Sequence, residues 1–414
     1  MNYTAEIVAV GTELLLGNVA NTDAQIISQG LSELGINVFF HSVVGDNPLR
    51  LSGVIEIAKT RSDIIITTGG LGPTLDDLTK ETVAACFGRK LELHEPTLKK
   101  IHEFFSRIGV TATKNNERQA WLPERSRILE NDWGTAPGCA FESDGKRVIM
   151  LPGPPSECGS MWQNCAVPYL KELSEAAIVS RRVKVFGMGE SAVEDKLHGL
   201  MESMSNPTIA PYVGDAEVML RITAKASDER EAFAMTEPVV EKIRKTLGDL
   251  VYGVDVDSLE KLVVDMLAER GLRLAVAESC TGGLMTKRIT DIPGASSVFD
   301  GGVCAYSNKV KESILGVDPQ IIAELGAVSA PVAQAMADGV RSAVNADIGI
   351  GITGIAGPDG GSDEKPVGTV YIAISTKDVR KSSLYKPGVD RFRIRAVAVN
   401  HALDLIRRYM LGKL

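Results

Sequence analysis

The sequence predicts an α/β protein built from three units, and three observations carry that prediction. Strand and helix signals alternate along most of the chain, 40 glycines against 5% aromatic residues provide for tight strand-to-helix turns, and glycine-rich polar loops follow strand signals near both ends. A length of 414 residues exceeds one typical core, and 44% hydrophobic residues exclude a disordered chain.

In the first unit, residues 1–172, a strand signal at Ala5 to Val10 precedes a helix near Thr22 to Leu34. A strand Val38 to Val44, a helix Ser52 to Lys59 and a strand Asp63 to Thr68 follow. The unbroken run Ile64-Ile65-Ile66 marks a central strand, because parallel strands are buried on both faces. The turn-rich Leu151-Pro152-Gly153-Pro154-Pro155 leads into a helix from Ser156, and the unit closes near Pro168 to Leu173.

The second unit, residues 173–254, reads as a small α+β module. Its strands are Arg182 to Phe186, Thr208 to Val213 and Val218 to Ala224, and its helices are Glu190 to Met201 and Glu229 to Leu247. The third unit, residues 255–414, opens with a helix Leu259 to Arg270 and a strand Leu272 to Ala277. It ends in a helix Ile394 to Met410.

Charge and composition narrow the function classes. A net charge of −8 and a pI near 5.4 argue against an extended nucleic-acid surface, which requires clustered Lys and Arg. The first 49 residues contain no Lys or Arg and no apolar run is long enough to span a bilayer, so a cytoplasmic protein without membrane association is expected. Cys86, Cys139, Cys158, Cys165, Cys280 and Cys304 form no C-x-x-C pair and are expected as reduced thiols rather than zinc ligands.

The segment Ala277-Glu278-Ser279-Cys280-Thr281-Gly282-Gly283 runs off a strand into a helix containing Leu284, Lys287 and Ile289. Such a turn sets Ser279 beside helix N-terminal N–H groups that stabilise an oxyanion or hold a phosphate; the plainer alternative is a serine helix cap. Two further loops, Tyr306-Ser307-Asn308-Lys309-Val310-Lys311 and Gly351 to Gly361, follow strands of the same unit and are expected at the same sheet edge. A serine nucleophile needs a base, and a desolvated lysine can serve; Lys309 and Lys311 are the candidates. The glycines from Gly354 to Gly361 either let backbone N–H groups approach a substrate or form an ordinary surface turn.

The stretches AESCTGG, YSNKVK and TGIAGPDGGSDEKPVGTVY resemble the C-terminal domain of the CinA family, nicotinamide mononucleotide deamidases. The resemblance implies a serine and lysine pair at Ser279 and Lys311 with Tyr306 as the third catalytic residue, and no cofactor. Substrate contacts are expected from Thr281, Gly282, Gly283, Thr353, Gly354 and Gly357. Arg391 is the first choice for the substrate phosphate, ahead of Arg395, because a guanidinium fork matches phosphate oxygens.

Near the N-terminus, Thr67-Thr68-Gly69-Gly70-Leu71-Gly72-Pro73-Thr74-Leu75-Asp76-Asp77 places a glycine loop after a buried strand. Gly70, Gly72 and Thr74 suit a phosphate, and Asp76 and Asp77 suit a divalent metal; capping of a helix by Thr74 is the alternative. Asn116, Glu117 and Gln119 are weighed as lining of the same cleft against plain loop chemistry. With Gly11 to Gly17 and Leu151 to Glu157, this loop resembles the molybdopterin-binding-like domain of the same family. That resemblance implies cleavage of ADP-ribose at its pyrophosphate, with a divalent metal and potassium, and a homodimeric chain. The competing expectation is a competence- or damage-response protein whose N-terminal domain binds a pterin or a partner without catalysis.

Overall fold

The structure is a computed structural model that describes residues 3–172, 177–214, 217–386, 388 and 390–414. The chain forms two compact units, Met1–Val179 with Lys225–Phe233, and Ser180–Ala224 with Ala234–Leu414. The expected start of the second unit, residue 173, lies outside the described residues.

In the first unit, strands β1 (Thr4–Val10), β2 (Asn37–Val44), β3 (Ile64–Thr68), β4 (Leu91–Leu93), β5 (Trp121–Pro123), β6 (Arg127–Leu129), β7 (Gly138–Ser143) and β8 (Lys146–Leu151) form a six-stranded sheet and a small β4–β5 pair. The large sheet has the order β2-β1-β3-β8-β7-β6. β2, β1, β3 and β8 run parallel, whereas β7 turns back antiparallel on β8 and β6 on β7.

The isoleucine run of β3 is central, as expected, and its alternation feeds two cores. Ile64 and Ile66 pack with Ala24, Ile27, Cys158 and Trp162 on one face, while Ile65 packs with Leu51, Ile55 and Val83 on the other. The helices Thr22–Glu33 and Pro155–Met161 therefore cover one face, and Pro48–Arg61 and Thr79–Cys86 the other. Asn21 and Asn47 cap two of these helices by accepting from Ala24 N and Arg50 N.

Strands β9 (Ala177–Phe186), β10 (Thr208–Val213), β11 (Glu217–Ala226) and β12 (Val251–Val254) form a sheet of order β10-β11-β9-β12. Val239, Val240, Ile243 and Leu247 of the helix Glu229–Leu247 cover it together with Val193 and Leu197 of Glu190–Glu202.

Strands β13 (Leu274–Glu278), β14 (Phe299–Cys304), β15 (Ile348–Gly354), β16 (Val370–Ser375) and β17 (Arg380–Tyr385) form the last sheet, order β14-β13-β15-β16-β17. β13 is parallel to both neighbours, so the ends of β13, β14 and β15 meet at one edge as the sequence predicts. Leu274 and Val276 face the helices Leu259–Arg270 and Arg391–Met410, and Ala275 and Ala277 face Ala330–Ala343. No helix among the described residues is long and apolar enough to cross a membrane, and all six cysteines are free thiols.

Candidate functional sites

In the second unit the site grows from the end of β13. The Ser279 amide donates to Ile352 O at 2.9 Å and the Ala305 amide donates to Glu278 O at 2.7 Å. These bonds extend both parallel ladders past the strand and fix the turn from two sides. Ser279 is 8% exposed.

Opposite it, Ser307 caps the helix Asn308–Leu315 by accepting from Val310 N, and the first turn of that helix drives Lys311 inward. The lysine is 1% exposed. Its Nζ lies 3.1 Å from Ser279 Oγ, 2.7 Å from Ala305 O and 3.2 Å from Tyr306 O. Burial holds its pKa below the ordinary lysine value, because desolvation penalises the charged ammonium. Lys309 is exposed, so the geometry separates two lysines that the residue pattern alone left open and agrees with the choice the resemblance implies. The Tyr306 side chain is 64% exposed and reaches Lys311 only through its backbone carbonyl.

One expectation for this turn needs correction. The N–H groups at the start of helix Leu284–Thr290 are not all free: the buried Glu278 carboxylate accepts from Met285 N at 3.0 Å, Thr286 N at 2.9 Å and Thr286 Oγ1 at 2.8 Å. The remaining donors lie earlier in the turn. Among the described residues, the amides of Cys280, Thr281 and Gly283 donate to no backbone carbonyl, and those of Cys280 and Thr281 lie against the Cys280 sulfur. Glu278 was missed in the sequence, although an acid ending the apolar run Leu274-Ala275-Val276-Ala277 signals a paired buried charge.

The remaining candidates divide. Thr281 is buried and its hydroxyl has no partner among the described residues, whereas the Thr353 hydroxyl donates to Ala327 O at 2.8 Å. Arg391 donates to Gly357 O at 2.5 Å and Arg395 to Thr281 O at 2.7 Å, so the final helix ties down both site loops. Gly354 and Gly357 are explained by close packing: a β-carbon at Gly354 would lie 2.8 Å from Thr369 O, and one at Gly357 2.6 Å from Val367 Cγ1. Gly282 is exposed and Gly283 half-buried beside the nucleophile.

The first unit holds a cavity of about 580 Å³ over the ends of β1, β3 and β8, lined by Gly69 to Pro73, Asp76, Asp77 and Pro152 to Pro155. Gly69 and Gly70 turn the chain with φ of 89° and 67°, values favouring glycine, and a β-carbon at Gly70 would lie 2.1 Å from Thr79 Oγ1. Thr74 is not a helix cap, because the helix starts only at Thr79 with Leu78 before it. Instead the Thr74 amide and hydroxyl donate to Asp77 Oδ2, the amide at 2.8 Å.

Asp76 is exposed beside Asp77, and among the described residues no group of three or more His, Cys, Asp or Glu side chains is arranged to hold a metal ion. The pair fits an ion shared with phosphate oxygens, which needs only one or two carboxylates, rather than a protein-only cage. Of the three loop residues weighed for this cleft, Gln119 lines it, held by Lys80, which donates to Arg118 O at 3.0 Å and Gln119 O at 3.1 Å. Asn116 instead accepts from Thr113, and Glu117 lies away from the cavity.

Residues 6–172 match a probable molybdopterin binding domain, 180–253 a damage-inducible protein CinA KH domain and 256–410 the CinA C-terminal domain. A CinA-like protein of Dictyoglomus turgidum is 50% identical over 98% of this chain and 99% of its own length. A protein of Thermoanaerobacter pseudethanolicus named for competence-damage induction is 51% identical over 98% of each chain. The crystal structure of a CinA protein of unknown function from Thermoplasma acidophilum covers 39% of this chain and 95% of its own, at 35% identity and TM-score 0.37. With half of its residues shared along nearly the full length of such relatives, the chain belongs to the CinA family.

Proposed function

We propose that the C-terminal site hydrolyses the carboxamide of nicotinamide mononucleotide to nicotinate mononucleotide and ammonia. The observation supporting this most strongly is a buried Lys311 Nζ 3.1 Å from Ser279 Oγ, a base within proton-transfer distance of a nucleophile. Neutral Lys311 takes the Oγ proton as the oxygen bonds to the carboxamide carbon. The amides of Cys280, Thr281 and Gly283, which donate to no backbone carbonyl, would supply donors for the resulting oxyanion.

The lysine ammonium then returns the proton to the departing nitrogen, the C–N bond breaks, and ammonia leaves an ester on Ser279. Water attacks that ester, Lys311 takes its proton and delivers it to Oγ, and the product departs as a carboxylate. No metal or organic cofactor enters this reading. Arg391 and Arg395 keep N–H donors beyond the one each gives to a loop carbonyl, which suits them to the substrate phosphate, and Tyr306 stands exposed as a substrate contact. Ammonia release from nicotinamide mononucleotide is expected to fall by about 10³-fold or more in Ser279→Ala, as loss of a nucleophile does. An unchanged rate would remove Ser279 from the mechanism.

The cavity of the first unit favours a second reading, cleavage of ADP-ribose at its pyrophosphate in a homodimeric, cytosolic enzyme. Its volume suits a nucleotide-sized ligand and its floor is a glycine loop. Asp76 and Asp77 would hold the divalent cation, with potassium as a second ion, and the bound cation would neutralise phosphate charge. Metal-dependent AMP release is expected to drop about 10²-fold in Asp76→Ala while ammonia release stays intact. Equal AMP release by both proteins would discard this role for Asp76.

A further inference from the structure

The cavity of the first unit contains a polar group that neither the glycine loop nor the aspartate pair accounts for. Asp23 opens the helix Thr22–Glu33, is 7% exposed, lines the cavity, and has an Oδ1 without a partner among the described residues. The Cys158 thiol lies against the same carboxyl, and burial pushes the Asp23 pKa up to about 6. An acceptor buried without a donor is costly to a folded protein unless something that enters the cavity supplies the donor.

The surroundings define that donor. Val19 and Ala20 precede Asp23 in the cavity wall, and Pro154 and Pro155 begin the helix that carries Cys158. Val19, Ala20, Pro154 and Pro155 give this end an apolar wall beside the polar Asn21, Thr22 and Glu157, and Asp23 adds a buried acceptor, a mixture that receives a planar heterocycle and reads its edge. The other end differs. Gln119 lies on the opposite face of the sheet, tied to the helix that begins at Thr79, with Asp76, Asp77 and Thr135 also in the lining. Its own buried Oε1 likewise lacks a partner among the described residues. Between the two ends lies the glycine loop.

We propose that Asp23 is the base-reading residue of the cavity, accepting a hydrogen bond from the exocyclic amine of an amino-purine whose pyrophosphate rests on the loop at Gly69 to Gly72. This rests on the pyrophosphate reading and adds which end holds the base and why an amino group is selected. A 6-oxo purine presents an acceptor at the same position, opposes the Asp23 carboxylate, and is rejected because two acceptors then face each other without a proton between them.

The test is titration calorimetry of the full chain at pH 8 with magnesium and potassium, using methylene-bridged, uncleavable analogues of ADP-ribose and of its inosine counterpart. The parent should bind the adenine analogue about 10- to 100-fold more tightly, as one unmet buried hydrogen bond requires. Asp23→Asn, which offers an NH₂ donor in the same shape, should lose or reverse that preference. Its melting temperature at pH 8 should not fall, because a buried charge is removed. Binding of both analogues with equal affinity by parent and variant would overturn the role of Asp23 while leaving the pyrophosphate reading standing. Failure of the folded parent to bind either analogue would overturn both.

Discussion

Lys311→Met is expected to lower kcat for ammonia release about 10²- to 10⁴-fold with little change in KM, the range associated with loss of a positioned general base. Methionine fills a similar buried volume, so the helix Asn308–Leu315 keeps its seat against the sheet, although the carbonyls of Ala305 and Tyr306 lose a donor. Thermal unfolding of the variant checks that the loss is chemical. The double variant with Ser279→Ala should be no slower than the worse single variant, because nucleophile and base act as one unit. Fully additive losses would mean that the two groups serve separate steps.

The same pair fixes the sign of the pH dependence. Lys311 acts only after losing its proton, and its pKa lies below the ordinary lysine value because burial disfavours the ammonium. kcat/KM should therefore climb as pH rises through that lowered pKa, and the rising limb should disappear in Lys311→Met. A limb that survives the substitution would assign the titration to another group.

The sequence marked Ser279 and a lysine after Ser307 by local grammar, a strand running into a glycine turn and a capped helix start, and the structure brings Ser279 and Lys311 to within 3.1 Å of each other. It could not choose between Lys309 and Lys311 from pattern alone, since the choice depends on which side of the helix Asn308–Leu315 meets β13. Parallel pairing of β1, β2 and β3 was legible in the apolar runs and the intervening helices, whereas β8 was not read as a strand. The antiparallel return of β7 and β6 was not, because short strands joined by turns leave a weak periodic signal. The alternative of Thr74 as a helix cap fails for a specific reason: its amide and hydroxyl find Asp77 three residues on, and the helix waits until Thr79. The only mark of Glu278 is an acid ending an apolar run, because its partners, two backbone amides and the Thr286 hydroxyl, are set by the turn rather than by a motif.

That overlooked carboxylate supports the second large expectation. Glu278 is fully buried, directly precedes the nucleophile, and gathers two amides and one hydroxyl from the start of the next helix. Glu278→Gln preserves the shape but replaces one acceptor oxygen with an NH₂, so a backbone N–H meets a donor and the charge-assisted bonds are lost. A loss of about 2–4 kcal/mol in stability is expected by urea unfolding of the purified chain. Because the turn from Ser279 to Gly283 hangs between β13 and that helix, its displacement should also slow ammonia release about 10- to 100-fold below the unfolding range. The two losses should separate with temperature: cooling restores folded protein but cannot restore the position of Ser279. If activity per folded molecule in Glu278→Gln equals that of the parent, the carboxylate only staples the helix, and the geometry of the nucleophile is set by the ladder bonds from Ser279 to Ile352 and from Ala305 to Glu278 alone.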